Sequence, residues 1–453
     1  MALGSNHLSG ILPTELGLMN KLTYLDLSYN KFLSAIPTEM GSMNSLLALD
    51  LQVNMMTGSL PTELGNLTQL LSFFIHENDL TGSLPSELGL LTDLTILTTF
   101  DNHITGTIPT ELGDLAQMFA FAAYTNIMTG PIPSELGRLK NLFILFIYDN
   151  HITGTIPTEL GNLAQMSEFA VSTNNITGPI PSELGRLTKL SHLSVANNSI
   201  TGTVPTELGN LAQLMTFVAF QNDLTGSLPS ELGLLTNLFI LSIYDNHITG
   251  TIPTEIGYLA QMSLFAAYTN NMTGPIPSEL GRLTKLTNLA VTDNSITGTI
   301  PTELGNLAWL VSFYIYENEL TGSLPSEFGQ LTSLASLFAF NNQLNSTFPF
   351  KYGRLLHLLA LDVHMNDLTS ALPSELGLLV KLTYLDLSIN LFNNSIPSEM
   401  GLLSELKKFN VSLNHLTGTI LLSFGLLDDL CEYLCGVSHF TLYPSFFFFV
   451  WDD

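Results

Sequence analysis

The sequence predicts an α/β repeat solenoid, a single elongated stack of coils with a parallel sheet along its inner side. Three observations lead there. Asn recurs at position 6 and at every 24th residue after it up to Asn414. Pro keeps the same interval from Pro13 to Pro397, and Gly from Gly17 to Gly425, with no insertion or deletion. Within each unit, a segment of strand period precedes turn residues and a short helical stretch. A fixed period of this size marks units that bury their apolar face only by stacking on their neighbours.

Each element follows from its residues. In "LTYLDLSYN", Leu22 to Asn30, the apolar Leu25 and Leu27 alternate with Asp26 and Ser28, the pattern of a half-buried strand. In "LTGSLP", Leu80 to Pro85, Gly and Pro bend the chain. "SELGLL" follows, with Ser86 expected as a helix N-cap and Glu87 in the first turn. One turn of α- or 3-10 helix is all that fits before the next strand. The recurring Asn sits where the strand must turn, and its buried amide needs partners that the neighbouring coil's backbone can supply. Stacked strands about 4.8 Å apart would give an inner sheet roughly 85 Å long.

Composition narrows the function classes. The chain has 453 residues, 45% apolar and only 11% charged, with a formal charge of −26. Such a surface repels nucleic acid and anionic membranes. A stack in which each unit touches only its neighbours has no internal boundary, so residues 1–425 read as one solenoid of about eighteen units. Residues 426–453 read as a C-terminal cap remnant and an apolar tail ending "HFTLYPSFFFFVWDD", shorter than the roughly 20 residues of a spanning helix. Cys431 and Cys435 are too few for a disulfide framework or a four-ligand zinc site. The amino end, "MALGSNHLSG", reaches the first repeating Asn at residue 6, so the chain is expected to begin in mid-repeat, truncated, without a signal segment. Oligomeric state is left open.

The pattern LxxLxLxxNxLTGxIPxELGxL resembles the 24-residue plant-type leucine-rich repeat over nearly the whole chain. That resemblance implies a right-handed superhelix, with the LxxLxLxxN strand on the concave side, a second short strand at LTGxIP and helical turns on the convex side. It implies no mechanism, because the family includes receptor ectodomains, polygalacturonase-inhibitor-like proteins and adhesion modules. The implied location is extracellular or at the cell surface. Signal peptide, paired-Cys cap, membrane helix and kinase domain, usual in such proteins, have no counterpart in the sequence.

No enzyme, nucleotide or cofactor motif is present in the sequence. "DNHITG" places Asp and His together at Asp101/His103, Asp149/His151 and Asp245/His247. His103 and His151 belong to alternate coils, roughly 10 Å apart, too far to share an ion, and no metal site is expected. The Glu two residues past the repeating Pro, Glu15 to Glu399, is missing only at Lys351 and Ser423; it reads as a carboxylate at the positive end of a helical turn in preference to a calcium ligand.

The outward positions of the concave strands vary most. The position two before the repeating Asn carries Phe100, Tyr124 and Tyr148, then Phe220, Tyr244 and Tyr268, and later Tyr316 and Phe340. Phe146, Tyr314 and Phe338 stand on the same strands, with Asp149 and Asp245, like Asp101 and Glu317, along the adjacent edge. Ser172 and Ala196 separate two zones. Two readings stay open: a contact surface for a protein, peptide or glycan, or rings that stack and only stabilise the sheet. A second face offers Thr105/Thr107, Thr153/Thr155, Thr201/Thr203, Thr249/Thr251 and Thr297/Thr299, similar to the Thr-x-Thr arrays of ice-binding solenoids, though Pro131, Pro179 and Pro275 interrupt it. The expected function is non-enzymatic recognition on the concave face. An ice- or surface-binding role and a structural adhesion or cell-wall role are the alternatives.

Overall fold

The computed structural model describes residues 1–419; the boundary at residue 425, the segment 426–453 and both cysteines lie outside the described residues. A typical coil runs from a three-residue inner strand through a tight turn at the repeating Asn, a second short strand and a Pro, into a five-residue 3-10 helix; after Ile96–Thr98 the second strand is reduced to a bridge at Thr105. Seventeen inner strands, Tyr24–Asp26 to Lys408–Asn410, form one parallel sheet. Every residue pairs with the one 24 positions on, as Phe217 does with Leu241. Among the described residues the sheet is open, its first strand met by an isolated bridge from Ala2, and each interior strand pairs only with the coils before and after it. The second strands pair in parallel into short, broken sheets.

The inward strand positions and the Leu residues flanking the 3-10 turns fuse into one apolar core running through the stack. One column alternates Phe and Leu from coil to coil: Phe73, Leu97, Phe121, Leu145, Phe169 and Leu193 are almost completely buried. Large and small side chains thus interleave along the axis, as dense packing requires.

The Asn ladder joins the coils. Asn222 is 7% exposed. Its Nδ2 donates to the carbonyls of Ala219 and Phe220 in its own turn and to Val195 of the preceding coil, at 3.3, 3.2 and 3.1 Å. Its Oδ1 accepts from the Ile200 N–H at 2.9 Å. Both donors and the acceptor are engaged, and the preceding coil's turn is closed by the next coil's side chain. Asn6 donates only within its own turn, to Leu3 and Gly4.

This geometry requires an unusual backbone. The residue before each ladder Asn has φ near +50°, including Val53 (51°), Thr125 (49°) and Ile389 (52°). β-branched residues avoid this region, at a cost of about 1–2 kcal/mol each, so the ladder and the inter-coil bonds, such as Gln221 N–H to Tyr244 C=O at 3.0 Å, hold the chain there. On the convex side, consecutive 3-10 turns lie close together: a Cβ on Gly209 would sit 2.6 Å from the Glu231 carbonyl oxygen.

One expectation is corrected. Among the described residues Pro occupies the N-cap position of every 3-10 turn, and no side chain caps the helix. Except at Phe350, Ser or Thr is the first helical residue, and its hydroxyl can turn to the next carboxylate, as Ser230 Oγ does to Glu231 Oε2 at 3.2 Å. In a single 3-10 turn the Pro, with no N–H to leave unpaired and φ preset, enters the helix directly.

Two predictions follow from the packing. Asn222→Ala should lower unfolding free energy by about 1–3 kcal/mol, because it orphans several buried backbone groups, whereas Asn6→Ala should barely move it; denaturant midpoints compare the two. Tyr352 is fully buried in the Leu column against Phe328 and Phe348, and its hydroxyl has no partner among the described residues. Tyr352→Phe should therefore stabilise by about 1 kcal/mol, seen as a raised melting temperature.

The concave ring rows as a candidate binding surface

Because register is locked at 24 residues per coil, like positions on successive strands fall into rows about 4.8 Å apart. Aromatic rings in one row then lie face to face. Phe100 stacks on Tyr124 (centroids 4.3 Å, 7°) and Tyr124 on Tyr148 (4.4 Å, 11°). Phe220, Tyr244 and Tyr268 form a second stack at 4.4 and 4.2 Å. Tyr316 and Phe340 form a third at 4.3 Å. Ser172 and Ala196 separate the first two, and Thr292 the last two. Phe146 meets Tyr148 edge-on, and Tyr314 stacks on Phe338 at 5.1 Å. The rings thus stack in register and stay half-buried at the surface.

The first and third stacks each end on a histidine, which the sequence reading passed over although both occupy the ring column. His76 lies 4.1 Å from Phe100, and His364 lies 4.6 Å from Phe340. Burial without a compensating acid lowers His76 to about 4. For His364, burial pulls downward, but the hydrogen bond to Asp362 at 2.6 Å and the charges of Asp362 and Asp386 outweigh it, and the imidazole is held above its usual range.

His364 belongs to a polar cluster also missed in sequence, because its members come from three coils. Asp362, His364 and Asp386 bring their ligand atoms within 4.8 Å of one another. The two carboxylates are buried and already served by protein donors: Asp362 by His364 and the Tyr384 hydroxyl (3.0 Å), Asp386 by Ser388, Asn410 and Lys408. Lys408 also lies over the Tyr384 ring, 4.5 Å from its centroid. The cluster is a satisfied network at the C-terminal end of the face.

Phenols in the rows are shifted upward. Burial, then the neighbouring Tyr244 and Asp245, raise Tyr268 well above the usual phenol range, and burial raises Tyr244 and Tyr316. These hydroxyls are neutral donors at physiological pH. Asp149 and Asp245 are exposed at the edge of the face. A shallow depression is lined by Asn197, Gln221, Asp223, Asp245 and His247. On the second face, Thr105/Thr107 and the other Thr pairs lie at or near the surface. In the coils between these pairs the Thr of the same column donates to the preceding coil, as Thr225 Oγ1 does to the Gly202 carbonyl at 3.2 Å. Among the described residues no helix is long and apolar enough to cross a membrane.

A family model described as Leucine Rich Repeat matches residues 21–43, 141–163, 189–211, 237–259 and 285–307. Solved structures match nearly the whole chain. The plant peptide hormone receptor RGFR1, in complex with RGF2, is 30% identical over 95% of this chain and 76% of that one, with a TM-score of 0.86. A TDR receptor is 30% identical over 95% and 82%, at 0.84. The Arabidopsis receptor kinase HAESA, in complex with the peptide hormone IDA and the co-receptor SERK1, is 30% identical over 93% and 74%, at 0.83. No curated protein matches in sequence.

The raised His364 makes a pH prediction. A base whose folded pKa exceeds its unfolded value adds stability that is complete below the unfolded pKa and lost as pH rises through the folded one. The melting-temperature gap between wild type and His364→Gln should therefore be wider at pH 6 than at pH 9, as scanning calorimetry would record.

Proposed function

The chain belongs to the leucine-rich-repeat family, and we propose that within it the protein is a non-enzymatic recognition module, extracellular or at the cell surface, that binds a protein or peptide partner on its concave face. The observation that carries this reading is the set of half-exposed ring stacks, Phe100–Tyr124–Tyr148 and Phe220–Tyr244–Tyr268, held edge-out on a rigid sheet. Rigid rings present large contact area at small entropic cost, and a partner need not order them. The likeness to RGFR1 and HAESA, both solved with peptide ligands, supports a peptide over a glycan. Phe146, Tyr314 and Phe338 contribute contact area beside the stacks, while Asp149 and Asp245 at the rim steer association.

Truncation separates binding from stability. Tyr148→Ala and Tyr244→Ala should each weaken partner capture by about 1–2 kcal/mol, measured well below the melting temperature of every variant. Wild type and variants are used to capture partners from native extracellular fluid, and the captured species is then titrated. Unchanged affinity alongside a lowered melting temperature would leave the rings a structural role only.

A further inference from the structure

Two of the concave stacks set phenol against phenol. Tyr124 faces Tyr148 with centroids 4.4 Å apart and planes 11° from parallel, and Tyr244 faces Tyr268 at 4.2 Å and 8°. At Tyr316 and Phe340 the same geometry, 4.3 Å and 9°, sets a phenol against a phenyl ring. The backbone holds the pairs in place. The Thr125 amide donates to the Tyr148 carbonyl at 3.1 Å, and the Asp245 amide to the Tyr268 carbonyl at 3.0 Å, so the sheet fixes the separation of each pair. Tyr124 lies between Phe100 and Tyr148, and Tyr244 between Phe220 and Tyr268; neither ring can turn from its tyrosine neighbour without breaking the stack. All four tyrosines are half-buried at the surface. Burial raises the Tyr244 and Tyr268 phenols, so both are protonated at neutral pH, and each must release its proton when it gives up an electron.

This arrangement favours one chemistry. A phenol that loses an electron and its proton becomes a phenoxyl radical, whose unpaired spin is shared by the oxygen and the ortho and para ring carbons. In a face-to-face pair the half-filled π orbitals of two ortho carbons point at each other across the stack, so the reacting atoms are already close and aligned. The two radicals combine into a carbon–carbon bond. Each joined carbon then sheds its hydrogen as a proton while the ring oxygen takes one up, both rings regain aromaticity, and a biaryl bond remains. Each pair gives up two electrons and two protons in all; hydrogen peroxide, acting through a peroxidase, accepts them and becomes two waters. A phenyl ring has no O–H to lose, and the Tyr316–Phe340 stack is closed to this course.

We propose that Tyr124–Tyr148 and Tyr244–Tyr268 are sites of oxidative modification, at which a peroxide-driven one-electron oxidant joins each pair through its ortho carbons and staples neighbouring coils of one molecule. Each staple links residues 24 positions apart, one coil to the next, and adds a covalent tie to the hydrogen bonds of the Asn ladder. It is independent of what the face binds.

The test treats the full chain with hydrogen peroxide and a haem peroxidase, at a dilution that keeps molecules apart. Monomer isolated by gel filtration should carry dityrosine fluorescence. Its digest should contain peptides joined from Tyr124 to Tyr148 and from Tyr244 to Tyr268, each two hydrogens lighter than its separate parts. Tyr148→Phe should remove the first joined peptide and Tyr268→Phe the second, each sparing the other. Together they should lower the monomer's fluorescence at least about tenfold, while a ring still fills each position, as Phe340 does beside Tyr316. Treated wild type should melt at a higher temperature than untreated protein, and the double variant should gain nothing from the treatment. Tyr29 and Tyr258, exposed on the surface, report collisions between molecules. Dityrosine confined to dimers, joined peptides that run only through Tyr29 or Tyr258, or monomer fluorescence unchanged in the double variant would each overturn the proposal. Absence of one expected joined peptide would strike that pair from it, and absence of both would end it.

Discussion

Everything on the concave face depends on the side chain of the ladder Asn. Its amide reaches back into the preceding coil and also ties its own turn: Asn222 accepts from Ile200 through Oδ1, and donates through Nδ2 to Val195 of the preceding coil and to Ala219 and Phe220 of its own. A one-residue slip would turn inward-facing Leu outward, and the ladder opposes that slip at each coil from Asn30 to Asn414. The bond set is strong enough in sum to keep even Val53 and Ile389 at φ near +50°, a conformation those residues would leave if unconstrained.

Fixed register turns single residue choices into rows. A ring at one outward position becomes a stack when the next coil repeats it. The rows stop where the sequence ceases to repeat the residue: Ser172, Ala196 and Thr292 break the ring stacks. Since the rows are made by backbone pairing, the surface is preformed, and little conformational entropy is left to lose on binding.

Much of this was legible in the sequence. Strand alternation around Leu25 and Leu27, the partners of the Asn amide, the single helical turn and the ring rows all follow from local chemistry and a period of 24. What escaped has a physical pattern. The left-handed residue before each Asn varies among Tyr29, Val53, Asp245 and Ile389, so no propensity marks it; its conformation is imposed by the ladder. Ser86 reads as a cap, but Pro85 precedes a turn too short to need one. The Asp362–His364–Asp386 network draws on coils that sequence reading treats one at a time, and the alternation of Phe and Leu in the core appears only when a column is followed across coils. His76 and His364 could have been found that way, as members of the ring column.

The central claim is that the ladder holds the coils, and with them the rows, in a fixed register in the free protein. Hydrogen exchange of the Ile200, Leu224 and Ile248 amides, which donate to the side chains of Asn222, Asn246 and Asn270, measures it most directly. The account predicts protection equal to that of neighbouring strand amides such as Phe217 and Leu241, opening only with the surrounding coils. Exchange at the rate of exposed turns, with the strands still protected, would contradict it.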